Sequence, residues 1–332
     1  MSWEIKLRRG LYLPQIGWWL DASVPVDRSF VSHAHSDHIA AHREIICTAS
    51  TARLMRQRLP GRRIEHLLPF GHTEQLTPDC AVTLHPAGHI LGSAQVLLEH
   101  GVHGRLLYTG DFKPRSGLAA EPCAAPRADV LVMETTFGLP RYVFPPAEEV
   151  LADIVAFCRK TLEDRATPVL LGYNLGKSQE LLQVVGRAGL PVMLPPPACA
   201  ITRAYEELGL RFPSYQALQP ERASGHVVIA PPGGGGDLLG RLAARRTAVV
   251  SGWAIDPATV YRHRCDAAFP LSDHADFNEL LAFVAAVRPR RVFTVHGFAR
   301  EFAQTLRRRG VEAWALGEDN QLELELTADP RT

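Results

Sequence analysis

Residues 32–38 read Ser-His-Ala-His-Ser-Asp-His and follow a short apolar run that is typical of a buried strand. Imidazole and carboxylate groups at this density are the ligands that Zn²⁺ prefers, and in a harder site they also suit Mn²⁺ or Fe²⁺. The alternative is a surface turn in which the histidines only hydrogen-bond with one another. The strand context favours a metal site, with His33, His35, Asp37 and His38 as candidate ligands.

Two further ligand-type residues stand at the ends of later strand-like runs. His89 ends Pro-Ala-Gly-His, and Asp111 lies within Tyr-Thr-Gly-Asp-Phe. Either residue alone is more often part of a satisfied polar turn. Together with the first cluster they would complete a binuclear site, in which Asp111 bridges two metals about 3.5–4 Å apart. Asp21, which closes the run Trp-Trp-Leu, is interpreted as an outer residue that accepts a hydrogen bond from a ligand imidazole.

The elements that must position these residues change in character along the chain. In the first 145 or so residues, short apolar runs separated by Gly, Pro and polar residues predict strands, with one helix at Ser50–Arg58 that Ser50 caps. After Pro145-Pro146, helix patterns alternate with apolar runs, which predicts right-handed βαβ units on a parallel sheet. The sequence therefore predicts a strand-rich domain, interrupted by an α/β insert, to which the C-terminal residues return.

Composition excludes several classes of protein. The 332 residues are 46% hydrophobic and 21% charged, which is ordinary for a globular chain, and the net charge of +1 means that any nucleic-acid site must be a local patch. The six cysteines form no Cys-x-x-Cys pair, which disfavours a disulfide framework or a cysteine zinc ribbon. Because the sequence has neither an apolar leader nor a run of about 18 apolar residues, we expect a cytoplasmic protein with no membrane contact.

The order Asp, His-x-His-x-Asp-His, His, Asp resembles that of the metallo-β-lactamase superfamily. This resemblance covers the strand-rich part and implies an α/β fold, the αββα sandwich, with the metals at one edge between the sheets. Three later motifs resemble those of the β-CASP branch, which hydrolyses nucleic acids: Met-Glu-Thr-Thr-Phe-Gly at 133–138, Ser-Asp-His-Ala-Asp at 272–276 and Thr-Val-His-Gly at 294–297.

The resemblance also implies domain limits and residue roles. A metallo-β-lactamase domain would comprise residues 1–150 and 266–332, and a β-CASP cap would comprise residues 151–265. The implied cofactors are two divalent ions, most simply Zn²⁺ with Mn²⁺ as the alternative. The implied ligands are His33, His35 and His89 for the first ion and Asp37, His38 and His296 for the second, with Asp111 bridging. The implied catalytic residues are Asp37 and the acid–base pair Glu134 and His274.

Some candidate nucleic-acid contacts keep a simpler alternative. The segment Gly-Tyr-Asn-Leu-Gly-Lys at 172–177 resembles Tyr-Ser-Ile-Gly-Lys of the DNA-crosslink-repair nucleases, with Asn174 in place of Ser. A helix that starts at Gly176 and Lys177 would offer N–H groups and a charge to one phosphate, but the segment also fits an ordinary helix start. Lys113 is a second candidate for the phosphate backbone. A local basic cluster, for which a solvated surface is favoured, consists of Arg53, Arg56, Arg58, Arg62 and Arg63.

The whole pattern resembles the bacterial ligase-associated DNA exonucleases. It implies 5′-to-3′ hydrolysis of single-stranded DNA that carries a 5′-phosphate, by a hydroxide activated between two metals, in DNA repair. A DNA ligase and a helicase of the same pathway are the implied partners. His296 points the other way, because His at this motif is typical of members that process RNA.

Three alternatives to a DNA exonuclease stay open. A β-CASP ribonuclease, cutting internally or from the 5′ end, would share every catalytic residue. A non-catalytic scaffold is disfavoured because every ligand position is filled. A small-molecule thioesterase or lactamase would fit the metal site but not the later motifs or the large cap.

Overall fold

The computed structural model describes residues 3–233 and 236–317. In these residues the strands are β1 (Lys6–Leu7), β2 (Leu11–Leu13), β3 (Trp18–Leu20), β4 (Arg28–Phe30), β5 (Glu44–Cys47), β6 (Ile64–Leu67), β7 (Thr73–Thr77), β8 (Cys80–Pro86), β9 (Ala94–His100), β10 (Gly104–Tyr108), β11 (Val130–Glu134), β12 (Thr167–Leu171), β13 (Val192–Leu194), β14 (Tyr215–Ala217), β15 (Val227–Ala230), β16 (Arg245–Val250), β17 (Ala267–Phe269), β18 (Arg291–Val295) and β19 (Glu312–Ala315). The helices are α1 (Ala49–Arg58), α2 (Ala147–Glu163), α3 (Lys177–Arg187), α4 (Pro196–Glu207), α5 (Gly236–Gly240), α6 (Thr259–His263), α7 (Phe277–Val287) and α8 (Ala299–Arg308), with short 3₁₀ turns at Pro220–Arg222 and Gly252–Ile255.

The strands of this described part form three sheets. The first sheet contains β1 to β6 in chain order, and the second has the order β19-β18-β11-β10-β9-β8-β7. The third has the order β14-β13-β15-β12-β16-β17, and all of its pairings are parallel. The parallel sheet predicted from the alternation of helix and strand patterns is therefore confirmed.

The first two sheets pack face to face. Their shared core includes Trp18 and Leu20 of β3 on one side and Val96 and Leu98 of β9 on the other. Alternation along the strands places these side chains on one face, and burial of each contributes roughly 1.5–3 kcal/mol.

Helices cover the outer faces of both sheets. Phe283 of α7 and Phe302 of α8 pack on Leu131 of the second sheet. Leu54 of α1 packs on Ile45 of the first sheet. The layer order is thus helix, sheet, sheet, helix, and the predicted αββα sandwich is confirmed.

The third sheet has its own core and is attached to the first. Ile154 of α2 and Leu182 of α3 pack against Leu170 of β12. In α4, Cys199 belongs to that core, whereas Tyr205 packs in the core beneath α1. Strand β17 extends the third sheet slightly past residue 265, and the division into 1–150, 151–265 and 266–332 stays a proposal.

The sheet order brings the carboxyl ends of several strands together. Strands β3 and β4 run parallel, and β8, β10, β11 and β18 share one direction. The loops after β4 and β10 meet at Gly110, whose φ is +55° and where a Cβ would lie 2.5 Å from the Cβ of Ser32. Only glycine permits this approach, which brings Asp111 beside the histidine loop.

The N-terminal cap of α1 differs from the prediction. Thr48, not Ser50, caps this helix, because Thr48 Oγ1 accepts a hydrogen bond from the N–H of Thr51 at 3.1 Å. Thr48 also donates to the carbonyl oxygen of Gly92 at 2.7 Å, a tertiary contact that sequence spacing could not reveal. Among the described residues, none of the helices has the length and apolar character needed to span a bilayer.

Candidate functional site

A cavity of about 900 Å³ lies over the shared strand ends, between the two-sheet sandwich and loops of the third sheet. Its lining contains the candidate metal ligands other than the fully buried His33, and it includes the segment around Asn174 and the turn at Trp253. The predicted site residues therefore gather at one edge, as strand direction requires.

Each of four histidines uses one ring nitrogen for an outer contact. His33 Nδ1 lies 2.9 Å from Ser32 Oγ, and His35 Nε2 donates to the carbonyl oxygen of Leu175 at 3.2 Å. His38 Nδ1 contacts Asp21 at 2.9 Å. His89 Nδ1 donates to the carbonyl oxygen of Asp273 at 2.8 Å. In a neutral imidazole such an outer contact fixes the tautomer, so the opposite ring nitrogen of His33, His35 and His89 carries a free lone pair.

Those free nitrogens converge. His33 Nε2 lies 3.0 Å from His35 Nδ1, which in turn lies 3.1 Å from His89 Nε2. Burial lowers the pKa of His33, His35 and His89, which keeps the three imidazoles neutral. Neutral imidazoles with convergent lone pairs are the form in which histidine binds a transition metal.

Asp111 lies against the same nitrogens. Its Oδ2 is 3.6 Å from His33 Nε2, 3.8 Å from His89 Nε2 and 3.4 Å from His38 Nε2. Burial alone would raise the pKa of Asp111, but His38 and the other nearby imidazoles hold that pKa well below its ordinary value. The carboxylate is therefore ionised and lies between the imidazole trio and His38, the position that a bridging ligand needs.

Asp21 lies behind His38 and contacts its ring nitrogen Nδ1 at 2.9 Å. Besides the ring of His38, this carboxylate accepts hydrogen bonds from Ser32 N at 2.7 Å, Ser32 Oγ at 2.5 Å and the Tyr108 hydroxyl at 2.9 Å. Burial lowers the pKa of His38, but Asp111 and Asp21 outweigh burial and raise it well above the ordinary value. The φ of Asp21 is +46°, a conformation that strains a residue with a side chain and is typical of functional sites.

Two of the seven predicted ligands lie further out. Asp37 Oδ2 is 3.6 Å from His38 Nε2, but 77% of its side chain is exposed. His296 is exposed, has a φ of +58°, and its ring centroid lies 6.1 Å from that of His38. The five inner residues are in contact, and the assignment of all seven residues as ligands stays a prediction.

Glu134 and His274 form a direct pair. His274 Nδ1 lies 2.9 Å from Glu134 Oε1, which also accepts from the N–H of Phe112 at 3.2 Å. Burial lowers the pKa of His274, but the carboxylates of Glu134 and Asp111 raise it to about 9. His274 therefore carries a proton at neutral pH, and its Nε2 is left free of the contact with Glu134.

The two predicted phosphate-binding lysines have other partners. Lys177 Nζ is 2.7 Å from Asp273 Oδ1 and 3.0 Å from Glu180 Oε2, and Lys113 Nζ is 2.9 Å from Glu180 Oε1. The two lysines are only 2% and 3% exposed. A buried ammonium that already has carboxylate partners is not available to a phosphate, so we replace the predicted role with a structural one. Sequence analysis missed Glu180, although its i,i+3 spacing from Lys177 was a visible signal.

The other predicted phosphate contacts differ from each other. The N–H of Gly176 donates to Gln179 Oε1 at 2.8 Å, so a donor of this helix start is satisfied internally. Asn174 lines the cavity, and its Oδ1 has no hydrogen-bond partner among the residues described. Asn174 is therefore the one member of this set whose side chain faces the cavity without a partner.

The predicted basic cluster divides into paired and unpaired arginines. Arg53 pairs with Glu207 on α4, and Arg56 pairs with Glu65. Arg56, Arg58 and Arg62 are exposed, and of these three Arg58 also lines the cavity.

The donor set fits a metal. His33, His35, His89 and Asp111 offer ligand atoms that all lie within 4.8 Å of one another, and Asp21, His33 and His38 form a second such group. Nitrogen and carboxylate donors at this spacing suit Zn²⁺.

Comparisons with known proteins agree with this geometry. Residues 264–316 match the family RMMBL, the Zn-dependent metallo-hydrolase RNA specificity domain. The chain is 62% identical over 331 residues, 99% of its length, to a probable DNA ligase of Opitutus terrae. It is 28% identical over 80% of its length to the 5′ exonuclease Apollo of Gallus gallus. It is also 29% identical over 55% of its length to an RNase J-like protein of Methanocaldococcus jannaschii.

The relatives are longer than the matched part. The chain spans 32% of the ligase-named protein, 58% of Apollo and 50% of the RNase J-like protein.

We expect two metal ions per chain. Asp111→Ala and His35→Ala should each reduce the bound metal measured by elemental analysis, because each removes a ligand from the inner cluster. His72→Ala, in an exposed histidine away from the cluster, is the matched control and should retain full metal content. Full occupancy in the Asp111 variant would contradict the bridging position.

The buried ion pairs predict an effect on stability. Lys177→Met should lower the free energy of unfolding by about 3–5 kcal/mol in urea titrations, because it leaves the buried carboxylate of Asp273 without its ammonium partner. Lys160→Met, which removes an exposed pair with Asp164, should change it by less than about 1 kcal/mol. Unchanged stability together with a lost preference for 5′-phosphate strands would instead restore the phosphate role of Lys177.

Proposed function

The chain belongs to the metallo-β-lactamase family, and from this premise we propose that it is a metal-dependent nuclease that hydrolyses phosphodiester bonds. One observation carries the proposal: four imidazoles with fixed outer nitrogens converge on Asp111, and His274, held by Glu134 at 2.9 Å, lies beside them. A binuclear ligand set next to an acid is the arrangement that phosphodiester hydrolysis needs. The relatives named as nucleases support this reading.

We infer the following roles for the residues of the site. Two bound metals would supply an activated water and hold the phosphate oxygens. Asp111 lies between the two ligand groups, and Asp21 keeps His38 in the required tautomer. Glu134 holds His274 Nδ1, so that Nε2 can deliver its proton to the departing oxygen. Asp37 is proposed to complete the shell of the second metal together with His296.

We favour single-stranded DNA as the substrate, degraded from the 5′ end. A strand must enter the cavity between sandwich and third sheet, and a single strand fits such a cleft more readily than a duplex. The relative named 5′ exonuclease supports the polarity. The relative named probable DNA ligase supports DNA as the substrate and a ligase as a partner. A helicase of the same repair pathway is proposed as a further partner from the resemblance alone. A cytoplasmic location agrees with six free cysteines.

RNA is the second candidate substrate. Residues 264–316 match a domain described by its RNA specificity, and they contain His296, the residue that favours RNA in the sequence comparison. The RNase J-like relative supports the same alternative.

Digestion of matched, end-labelled DNA and RNA strands with Zn²⁺ or Mn²⁺ separates these candidates. We expect mononucleotides from the 5′ end of linear single-stranded DNA, slower loss of RNA, and an intact circular single strand. Faster digestion of RNA would establish the second candidate. Absence of cleavage with metal fully bound would contradict the proposal that the chain is a nuclease.

His274 should be needed for the rate of cleavage and not for metal binding. His274→Ala should reduce the rate by roughly 10²–10⁴-fold, the usual range for a general acid, with metal content unchanged. Glu134→Gln should lower the rate less, because the amide oxygen can still orient the ring. Loss of one metal from the His274 variant would make this residue a ligand instead of an acid.

A further inference from the structure

We propose that Trp253 and Tyr173 form a nucleobase-stacking surface at the mouth of the cavity, while Arg8, Arg9 and Arg58 on the side of the first sheet contact the phosphates of the same strand. This inference rests on the proposed nuclease function and extends it to the way in which the strand is held. Its ligand class is a single-stranded nucleic acid of any sequence.

Trp253 is packed against aromatic rings and is still nearly half exposed. Its ring centroid lies 4.7 Å from that of Phe137 and 5.6 Å from that of Tyr142, yet 45% of the residue is exposed. Phe137 in turn lies 6.1 Å from the ring of His274. The exposed indole is therefore one aromatic ring away from the proposed general acid, where a base next to the reacting phosphate would lie.

The backbone around Trp253 is built to hold that position. A Cβ on Gly252 would lie 2.4 Å from Phe137 Cζ, so only glycine lets the turn pack this closely on Phe137. Ser251 Oγ accepts from the N–H of Trp253 at 3.3 Å, and Thr259 donates to its carbonyl oxygen at 2.8 Å. A ring that is ordered before binding loses little entropy when a base stacks on it.

Tyr173 is placed on another wall of the same cavity. It is 66% exposed and lies two residues before Leu175, whose carbonyl oxygen accepts from His35. The backbone that carries Tyr173 is thus tied to the imidazole cluster. Large apolar side chains exposed in a cavity beside a catalytic pair are a binding feature, since burial is their ordinary state.

The arginines supply the charge. Among the residues described, no carboxylate lies within ion-pair distance of Arg8, Arg9 or Arg58, and all three line the cavity. On the same helix as Arg58, Arg53 and Arg56 are both paired with glutamates. With a net charge of only +1, this local group is what can attract a phosphate backbone. A basic groove with exposed aromatic rings is how proteins bind single strands without reading sequence.

The test measures binding in the presence of EDTA, so that no cleavage occurs. Affinity is determined by fluorescence anisotropy for a labelled oligothymidylate and for an abasic strand of equal length. Trp253→Ala should weaken binding of the oligothymidylate about tenfold, a loss typical of one base stacked on an aromatic ring, and leave the abasic strand unaffected. Trp253→Phe should bind nearly as the wild type does.

Two matched variants complete the design. Tyr261→Ala removes an 83% exposed aromatic side chain that does not line the cavity, and it should change neither affinity. The double variant Arg8→Gln, Arg9→Gln should weaken the binding of both strands and reduce the salt dependence of the affinity. Equal effects of Trp253→Ala on both strands, or no effect on either, would overturn the stacking surface. No binding of either strand by the wild-type chain in EDTA would also overturn the stacking surface, whereas failure of the metal-loaded chain to cleave either strand would overturn the proposed function itself.

Discussion

A buried carboxylate surrounded by imidazole nitrogens is the constraint on which this structure depends. Asp111 lies 3.4–3.8 Å from the nitrogens of His38, His33 and His89, with almost no access to water. Burial of an ionised carboxylate is costly unless compensating charge is near. The imidazoles of His33, His35 and His89 are neutral and supply lone pairs, whereas His38 and His274 supply the positive charge that compensates Asp111. Bound metal ions would add to that compensation. The close approach at Gly110 exists to bring these groups together.

The outer hydrogen bonds connect this centre to every layer of the fold. Asp21 belongs to the first sheet, whereas Asp273 precedes α7 and Leu175 precedes α3. The network of Lys113, Glu180, Lys177 and Asp273 then joins the second sheet to the third. Buried ion pairs contribute little net stability, but a different arrangement would leave a buried charge without its partner. They therefore favour one position of the third sheet over the site.

The sequence was enough to propose the residues of the centre, but it did not reveal the partners of the charged residues around it. Motif residues at strand ends are local features, so His33, His35, His89 and Asp111 could be identified, and strand direction then required them to meet. The partners of charged residues depend on contacts between distant segments. Lys113 pairs with a residue 67 positions away, and Arg53 with one 154 positions away. The residue that caps the N-terminus of α1 was predicted wrongly as Ser50. Thr48 takes this position, and its hydroxyl is also held by a hydrogen bond to the distant Gly92, which the sequence does not show.

Anomalous diffraction at the zinc edge, from crystals of zinc-loaded protein, is the most direct test of a binuclear metal centre at Asp111. A binuclear centre predicts two anomalous peaks roughly 3.5–4 Å apart, with Asp111 between them. One peak should lie beside the trio His33, His35 and His89, and the other beside His38. The electron density of the same crystals would show whether Asp37 and His296 move in to bind the second metal. A single peak, or peaks away from Asp111, would contradict a binuclear centre.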